Sequence, residues 1–166
     1  MLEQNCLYPD IDELDLVSEH LLITESHPGH SDSGTQNELG TLSTEPIQNH
    51  TPFNQQDHNT KDMTSSQTVT EMAVATLRIV PAGCKLPDLS LGRIVVRKDA
   101  RGWGIGEKIV RYALNYLKNS GTTIIRIEAQ HHLERWYGLM GFTTCSHVFD
   151  LDGIPHVQMV CHIDPS

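Results

Sequence analysis

The first seventy-one residues of this chain almost lack positive charge, holding thirteen acids and a single base, Lys61. The rest carries eight acids and eleven bases, so the formal charge of −9 averages two unlike halves. So acidic a total argues against a nucleic-acid partner, which needs a broad basic face. Aromatic residues are scarce, and an apolar fraction of 38% is low for a fully packed chain, so part of it is expected to lie outside any core. No apolar run approaches the roughly 20 residues of a membrane-spanning helix, and no membrane partner is expected. The four cysteines, Cys6, Cys84, Cys145 and Cys161, are widely spaced with no CxxC pair, which predicts reduced thiols and no metal site. With no secretory leader pattern after Met1, the expectation is a cytoplasmic protein.

What is present falls into three segments, residues 1–23, 24–70 and 71–166. The middle one has six strongly apolar residues in forty-seven and is rich in Ser, Thr, Asn, Gln, Pro and His, a composition expected of a disordered insertion. Its His27 and His30 read as a solvated pair rather than metal ligands. Beyond it the patterning is regular. Residues 72–81 (MAVATLRIVP) and 90–97 (SLGRIVVR) read as strands, divided by a Gly/Pro/Asp-bearing loop. From Ile105, the positions Ile109, Tyr112, Ala113, Tyr116 and Leu117 continue one helical stripe, which stops at Asn119 to Gly121. A buried strand at 123–129 and a short helix near 131–139 follow. A strand from Gly141-Phe142 to Phe149, an Asp152-Gly153 turn and a final strand from Pro155 complete the pattern as a hairpin. The order β-β-α-β-α-β-β, with HLLI at 20–23 as one more strand, implies a mixed α/β sheet with helices on its faces.

The stretch RGWGIG, Arg101 to Gly106, places three glycines between a strand and a helix start. That arrangement aims unpaired backbone N–H groups at an anion, with the positive end of the helix dipole behind them. Two familiar phosphate loops are excluded. A dinucleotide fingerprint would need glycine where Ile109 stands, and a triphosphate loop would need Lys-Ser/Thr directly after Gly106, where Glu107 and Lys108 stand. Six bases, Arg93, Arg97, Lys98, Arg101, Lys108 and Arg111, fall within nineteen residues around the glycines, consistent with a local polyanion site. Glycines that merely close a tight turn are the bland alternative.

Arg101-x-x-Gly104-x-Gly106 between strand and helix resembles the acyl-CoA pyrophosphate loop of the GNAT N-acetyltransferases. Tyr137-Gly-Leu-Met-Gly141-Phe142 has the form of that family's tyrosine with Gly-Phe four and five residues on. EQNCLYPDIDELD (3–15), AQHHLERWYGLMGF (129–142) and DGIPHVQM (152–159) are similar to signature segments of its ElaA-like subfamily. The resemblance covers roughly residues 1–23 and 71–161. It implies the GNAT acyl-CoA N-acyltransferase fold, N-terminally truncated because the first strand and helix would precede Met1. It also implies acetyl-CoA as acyl donor, seated in an opening between the strands that end near Val96 and Ala129. Ile94, Val95 and Val96 would pair with the pantetheine arm, and Arg101, Gly102, Trp103, Gly104, Ile105 and Gly106 would hold the pyrophosphate, with Arg97 and Lys98 attracting phosphate charge.

The implied reaction transfers acetyl from acetyl-CoA to the primary amine of a small molecule or protein, and the resemblance is compatible with a homodimer. An amine near pKa ~10.4 must shed a proton before attack, and a thiolate near ~8.5 is helped by receiving one. By resemblance Tyr137 is the general acid. For the base, the family's glutamate on the strand before the loop is replaced here by Gly92. The remaining candidates are Glu128, His156 as the side-chain type whose charge changes near neutral pH, less strongly His131 or His132, or a chain of water. Asp10, Asp12, Glu13 and Asp15 are candidates to line a cationic acceptor site, or a solvated acidic turn; Leu14 rules out a calcium loop. The reading from another class is a non-catalytic acyl-CoA-binding module.

Overall fold

The computed structural model describes residues 12–27, 42–44 and 70–164. They build one sheet in the order β2-β1-β3-β4-β5-β8-β6, with β7 also paired to β8. The strands are β1 (Glu19–His27), β2 (Leu42–Thr44), β3 (Thr70–Val80), β4 (Ser90–Val96), β5 (Ile124–Gln130), β6 (Thr143–Thr144), β7 (Phe149–Leu151) and β8 (Ile154–His162). Two helices, α1 (Ile105–Asn119) and α2 (Glu134–Gly138), join them, and 3-10 turns occupy Glu13–Leu16, Lys98–Ala100 and His131–Leu133. Every pairing is antiparallel except β4 with β5.

Strand alternation sorts the side chains into two unlike faces. On one, Ile79, Leu91, Ile127 and Met159 are directly opposite across four strands, all buried. Leu21–Leu77 and Ile23–Ala75 continue the layer toward β1. Both helices press onto this face: Ile109, Val110, Ala113 and Leu117 of α1, and Tyr137 of α2, belong to the same core cluster. Burying side chains of this size contributes about 1.5–3 kcal/mol each, so the helix face holds the fold together. The other face carries the rows His20–Arg78–Gly92 and Val80–Ser90–Arg126–Val160, which are rich in charge.

Three sequence expectations change in detail. The first strand does not stop at Ile23: after a bulge at Ile23/Thr24, β1 continues to His27 by pairing with Thr70–Ala73 of β3. A neighbouring strand supplies the backbone partners whatever the polarity of TESH. Leu42–Thr44 pairs with β1 as a further strand, while 28–41 and 45–69, the bulk of the expected insertion, lie outside the described residues. The strand expected from Gly141-Phe142 to Phe149 is two short strands. Between them the hydroxyl of Ser146 accepts the N–H of Gln158 at 2.8 Å, so a side chain replaces one ladder bond and the strand breaks.

Candidate active site

The two parallel strands at the centre of the sheet hardly pair. Only Ser90–Arg126 and Leu91–Ile127 are in register, and β4 then runs five residues and β5 three residues onward without meeting. The gap is a window through the sheet, open toward the C-terminal ends of both strands.

A bulge lines one side of this window. Between Thr76 and Arg78 of β3, β4 carries one extra residue, and Arg93 takes a φ of +44°, in the left-handed region. Consecutive residues Gly92 and Arg93 thereby face the same way. Ile94 and Val96 turn back to pack against the core, leaving Val95 exposed.

Beyond Val96 the chain makes the glycine turn. Gly102 and Gly104 adopt φ values of +86° and +74°, and the place where a Cβ would project from either is open space. Gly104 caps α1 without a side-chain hydrogen bond, and Lys108 N–H is the first to bond back to it, at 3.0 Å. None of the amides from Gly102 to Glu107 donates to a described residue. Six free donors at the positive end of a fifteen-residue helix make an anion cradle. Gly106 has a different reason: a Cβ there would lie 3.5 Å from Val96 and 3.7 Å from the Trp136 ring, so this turn packs against both β4 and α2.

Of the charged residues expected near the phosphates, Arg101 is exposed and donates through Nε to the carbonyl of Val96 at 3.0 Å, bracing the turn. Arg97 is engaged elsewhere, bonded to Asp99 at 2.7 Å and Glu25 at 3.1 Å, which raises its pKa and spends its charge locally. Trp103 is 77% exposed beside the cradle.

Tyr137 lies on the helix face, 7% exposed, its ring edge-on to Trp136 at 4.7 Å and to Phe142 at 5.9 Å. Its hydroxyl bonds to no described residue, and burial pushes the phenol up to about 12. The group stays protonated at any physiological pH.

The opposite face holds ion pairs. Arg78, 5% exposed, donates through Nη1 to Asp12 and Asp15, both at 2.7 Å, while its Nε has no partner. Arg93 reaches Asp12 at 3.0 Å. Asp12 and Asp15 close a reciprocal capping box, each accepting the other's backbone N–H. Burial pushes Asp12 up, but the hydrogen bonds from Arg78 and Arg93 outweigh it and leave its pKa below the ordinary value. Asp15 is lowered chiefly by the Asp12 N–H and then, against burial, by Arg78. These two acids are therefore committed to arginines and do not stand open to a cationic acceptor; Glu13 is exposed, and Asp10 lies outside the described residues. Sequence reasoning missed this knot, whose one signal was an arginine inside the apolar strand MAVATLRIVP.

Glu128 and His156 share this face. The carboxylate of Glu128 lies 2.6 Å from Lys85 Nζ and 3.5 Å from Gln158 Nε2. His156 is 8% exposed, sits opposite both Gln130 and Phe149, and has Nδ1 2.8 Å from the carbonyl of Ile154. A carbonyl only accepts, so Nδ1 carries the proton and neutral His156 keeps its lone pair on Nε2. His131 and His132 are exposed, and His131 pairs with Glu134 at 3.5 Å. Among the described residues no group of acids, histidines and cysteines could hold a metal, and no helix is long and apolar enough to cross a membrane.

The splayed pair, the bulge beside it and the free amides of the glycine turn follow one another along β4 and the segment after it. Residues 38–163 match the family described as "Acetyltransferase (GNAT) domain". The chain belongs to the GNAT acetyltransferase family. It is 27% identical over 161 residues to a UPF0039 protein of Schizosaccharomyces pombe, an alignment covering 96% of this chain and 77% of the relative. Its ElaA-like character shows in 30% identity to protein ElaA of Escherichia coli, over 52% of this chain and 57% of ElaA. The crystal structure of an acyl-CoA N-acyltransferase from Pseudomonas aeruginosa superposes with a TM-score of 0.50 at 31% identity, over 54% of this chain and 60% of that one. The chain thus spans less than two thirds of the length of ElaA and of that structure.

Proposed function

We propose that the chain is an acetyl-CoA-dependent N-acetyltransferase of a primary amine, with the donor on the helix face and the acceptor on the ion-paired face of the sheet. The observation that carries this reading is the sequence of window and cradle: two strands part after Leu91 and Ile127, and the first of them ends in six unsatisfied amides. In this reading the free amides of Gly102 to Glu107 take the pyrophosphate. The pantetheine arm lies along Ile94, Val95 and Val96, and the thioester enters the window beside the bulge at Arg93. An N–H turned out of the ladder by a bulge is suited to polarise a carbonyl.

Magnitudes decide how Tyr137 acts. Full proton transfer from a phenol at about 12 to a thiolate near ~8.5 is uphill by roughly 5 kcal/mol. Tyr137 therefore serves as a hydrogen-bond donor to the sulfur while the C–S bond breaks, and proton delivery is completed as the site opens to water. On the other face the amine nitrogen attacks, the C–N bond forms and the excess proton leaves. His156, with its lone pair on Nε2, is the candidate we favour to take that proton. Acetyl-CoA and the amine become an acetamide and free coenzyme A.

Thiol release from acetyl-CoA in the presence of a panel of primary amines tests the reading. An amine-dependent rate that Tyr137→Phe cuts sharply, at unchanged coenzyme A affinity, is the expected result. Coenzyme A binding without any amine-dependent thiol release would instead establish a non-catalytic acyl-CoA-binding module.

A further inference from the structure

Four carboxylates on the ion-paired face are not alike. Among the described residues, Asp12 and Asp15 are gripped by Arg78, and Asp88 by Arg126 at 2.6 Å, each through a planar guanidinium. Glu128 is paired instead with a lysine, Lys85. A lysine ammonium is a mobile point charge on a flexible stem, whereas an arginine fork fixes its partner.

The position of Glu128 matters as much as its partner. It is the first residue of β5 past the last pair with β4, so it stands at the apex of the window. The residue that would face it by continued register is Gly92, which has no side chain and nothing within 4 Å of the place a Cβ would occupy. The carboxylate is only 14% exposed, while Lys85, reaching in from the loop at 81–89, is 42% exposed. The cost of removing each partner is therefore unequal. An exposed lysine gains about 1 kcal/mol or less from such a contact, but a half-buried carboxylate needs a cation beside it.

We propose that Glu128, assisted by Gln158, is the ammonium subsite of the acceptor, and that Lys85 fills it as an internal stand-in until substrate displaces it. The acceptor class follows from the stand-in: an unbranched primary alkylammonium, of the kind a lysine side chain or a diamine presents. Glu128 then holds and orients the amine at the window. The inference rests on the acetyltransferase reading, yet its test does not require turnover.

Butylammonium, a lysine side-chain analogue, is titrated at neutral pH into the full chain, free and loaded with coenzyme A, and followed by amide NMR shifts. Because the stand-in lowers the competent fraction, Lys85→Ala tightens binding about fivefold. Glu128→Gln weakens it about tenfold, and butanol does not compete. Lys85→Gln is the second variant should the alanine form fail to fold. Equal affinity in wild type and the Lys85 variants, or full affinity in Glu128→Gln, overturns the proposal. Failure of coenzyme A to bind would sink the acetyltransferase reading separately, while the titration of the free chain still decides the subsite.

Discussion

The two faces of the central sheet are built by opposite means. On the helix face, Leu77, Ile109 and Ile125 are fully buried among other apolar side chains, and stability comes from area removed from water. On the other face, Arg78, Arg93, Asp12 and Asp15 satisfy one another, an arrangement that offsets its own desolvation and adds little net stability. Charge on that face positions groups. The window between β4 and β5 joins the two, so a donor gripped on the rigid side can meet an acceptor oriented on the polar side.

The comparison breaks if the faces respond alike to mutation. Leu77→Ala, which empties a site with no exposed surface, is expected to cost about 3 kcal/mol in urea unfolding. Arg78→Met combined with Asp12→Asn and Asp15→Asn, which removes the whole knot without stranding a buried carboxylate, should cost clearly less. An equal or larger loss for this triple variant would show that the ionic knot carries the fold.

Next in size is Tyr137→Phe, expected to lower the acetyl-transfer rate about a hundredfold with coenzyme A affinity intact. Since the phenol stays protonated up to about 12, the wild-type rate should show no loss from its ionisation between pH 8 and 10. A fall in rate over that range that the Phe variant lacks would contradict the burial argument.

A smaller effect is expected at the cradle. Gly104→Ala forces a side chain into a φ of +74° although the space is open, costing roughly 1–2 kcal/mol and weakening coenzyme A binding about tenfold by calorimetry. Affinity unchanged at lowered stability would mean that the turn shapes the fold alone.

The smallest effect sharpens the ionic side. Asp12 and Asp15 have folded pKa values below the ordinary 3.8. Their contribution is thus fully present above the unfolded value and disappears as pH falls through the lowered ones. Wild type should lose stability more steeply below about pH 4 than Asp12→Asn/Asp15→Asn, when chemical unfolding is followed from pH 5 down to pH 2.5.

Local patterns were readable from the sequence, and long-range ones were not. The α1 stripe, the glycine turn and the Tyr137 helix each depend on residues within a few positions of one another, and each lies where expected. The ladder that extends β1 to His27 depends on β3, some forty-five residues away in the chain, and polar TESH gives no hint of it. Arg78 and its acids are 63 and 66 positions apart, and the Lys85–Glu128 contact crosses the sheet between a loop and β5. The orientation of the His156 imidazole hangs on the Ile154 carbonyl, a matter of backbone direction that composition does not encode. Arg97 is paired with Asp99, two positions on, and with Glu25, 72 positions back, and only the first of these contacts is local in the chain.

The central claim is that the free amides between Gly102 and Glu107 seat the diphosphate of a coenzyme A thioester. Calorimetric titration of the folded chain with coenzyme A tests it most directly. One site per chain is predicted, with a dissociation constant on the order of micromolar that weakens in Gly104→Ala. A folded chain that takes up no heat at millimolar coenzyme A would contradict the account.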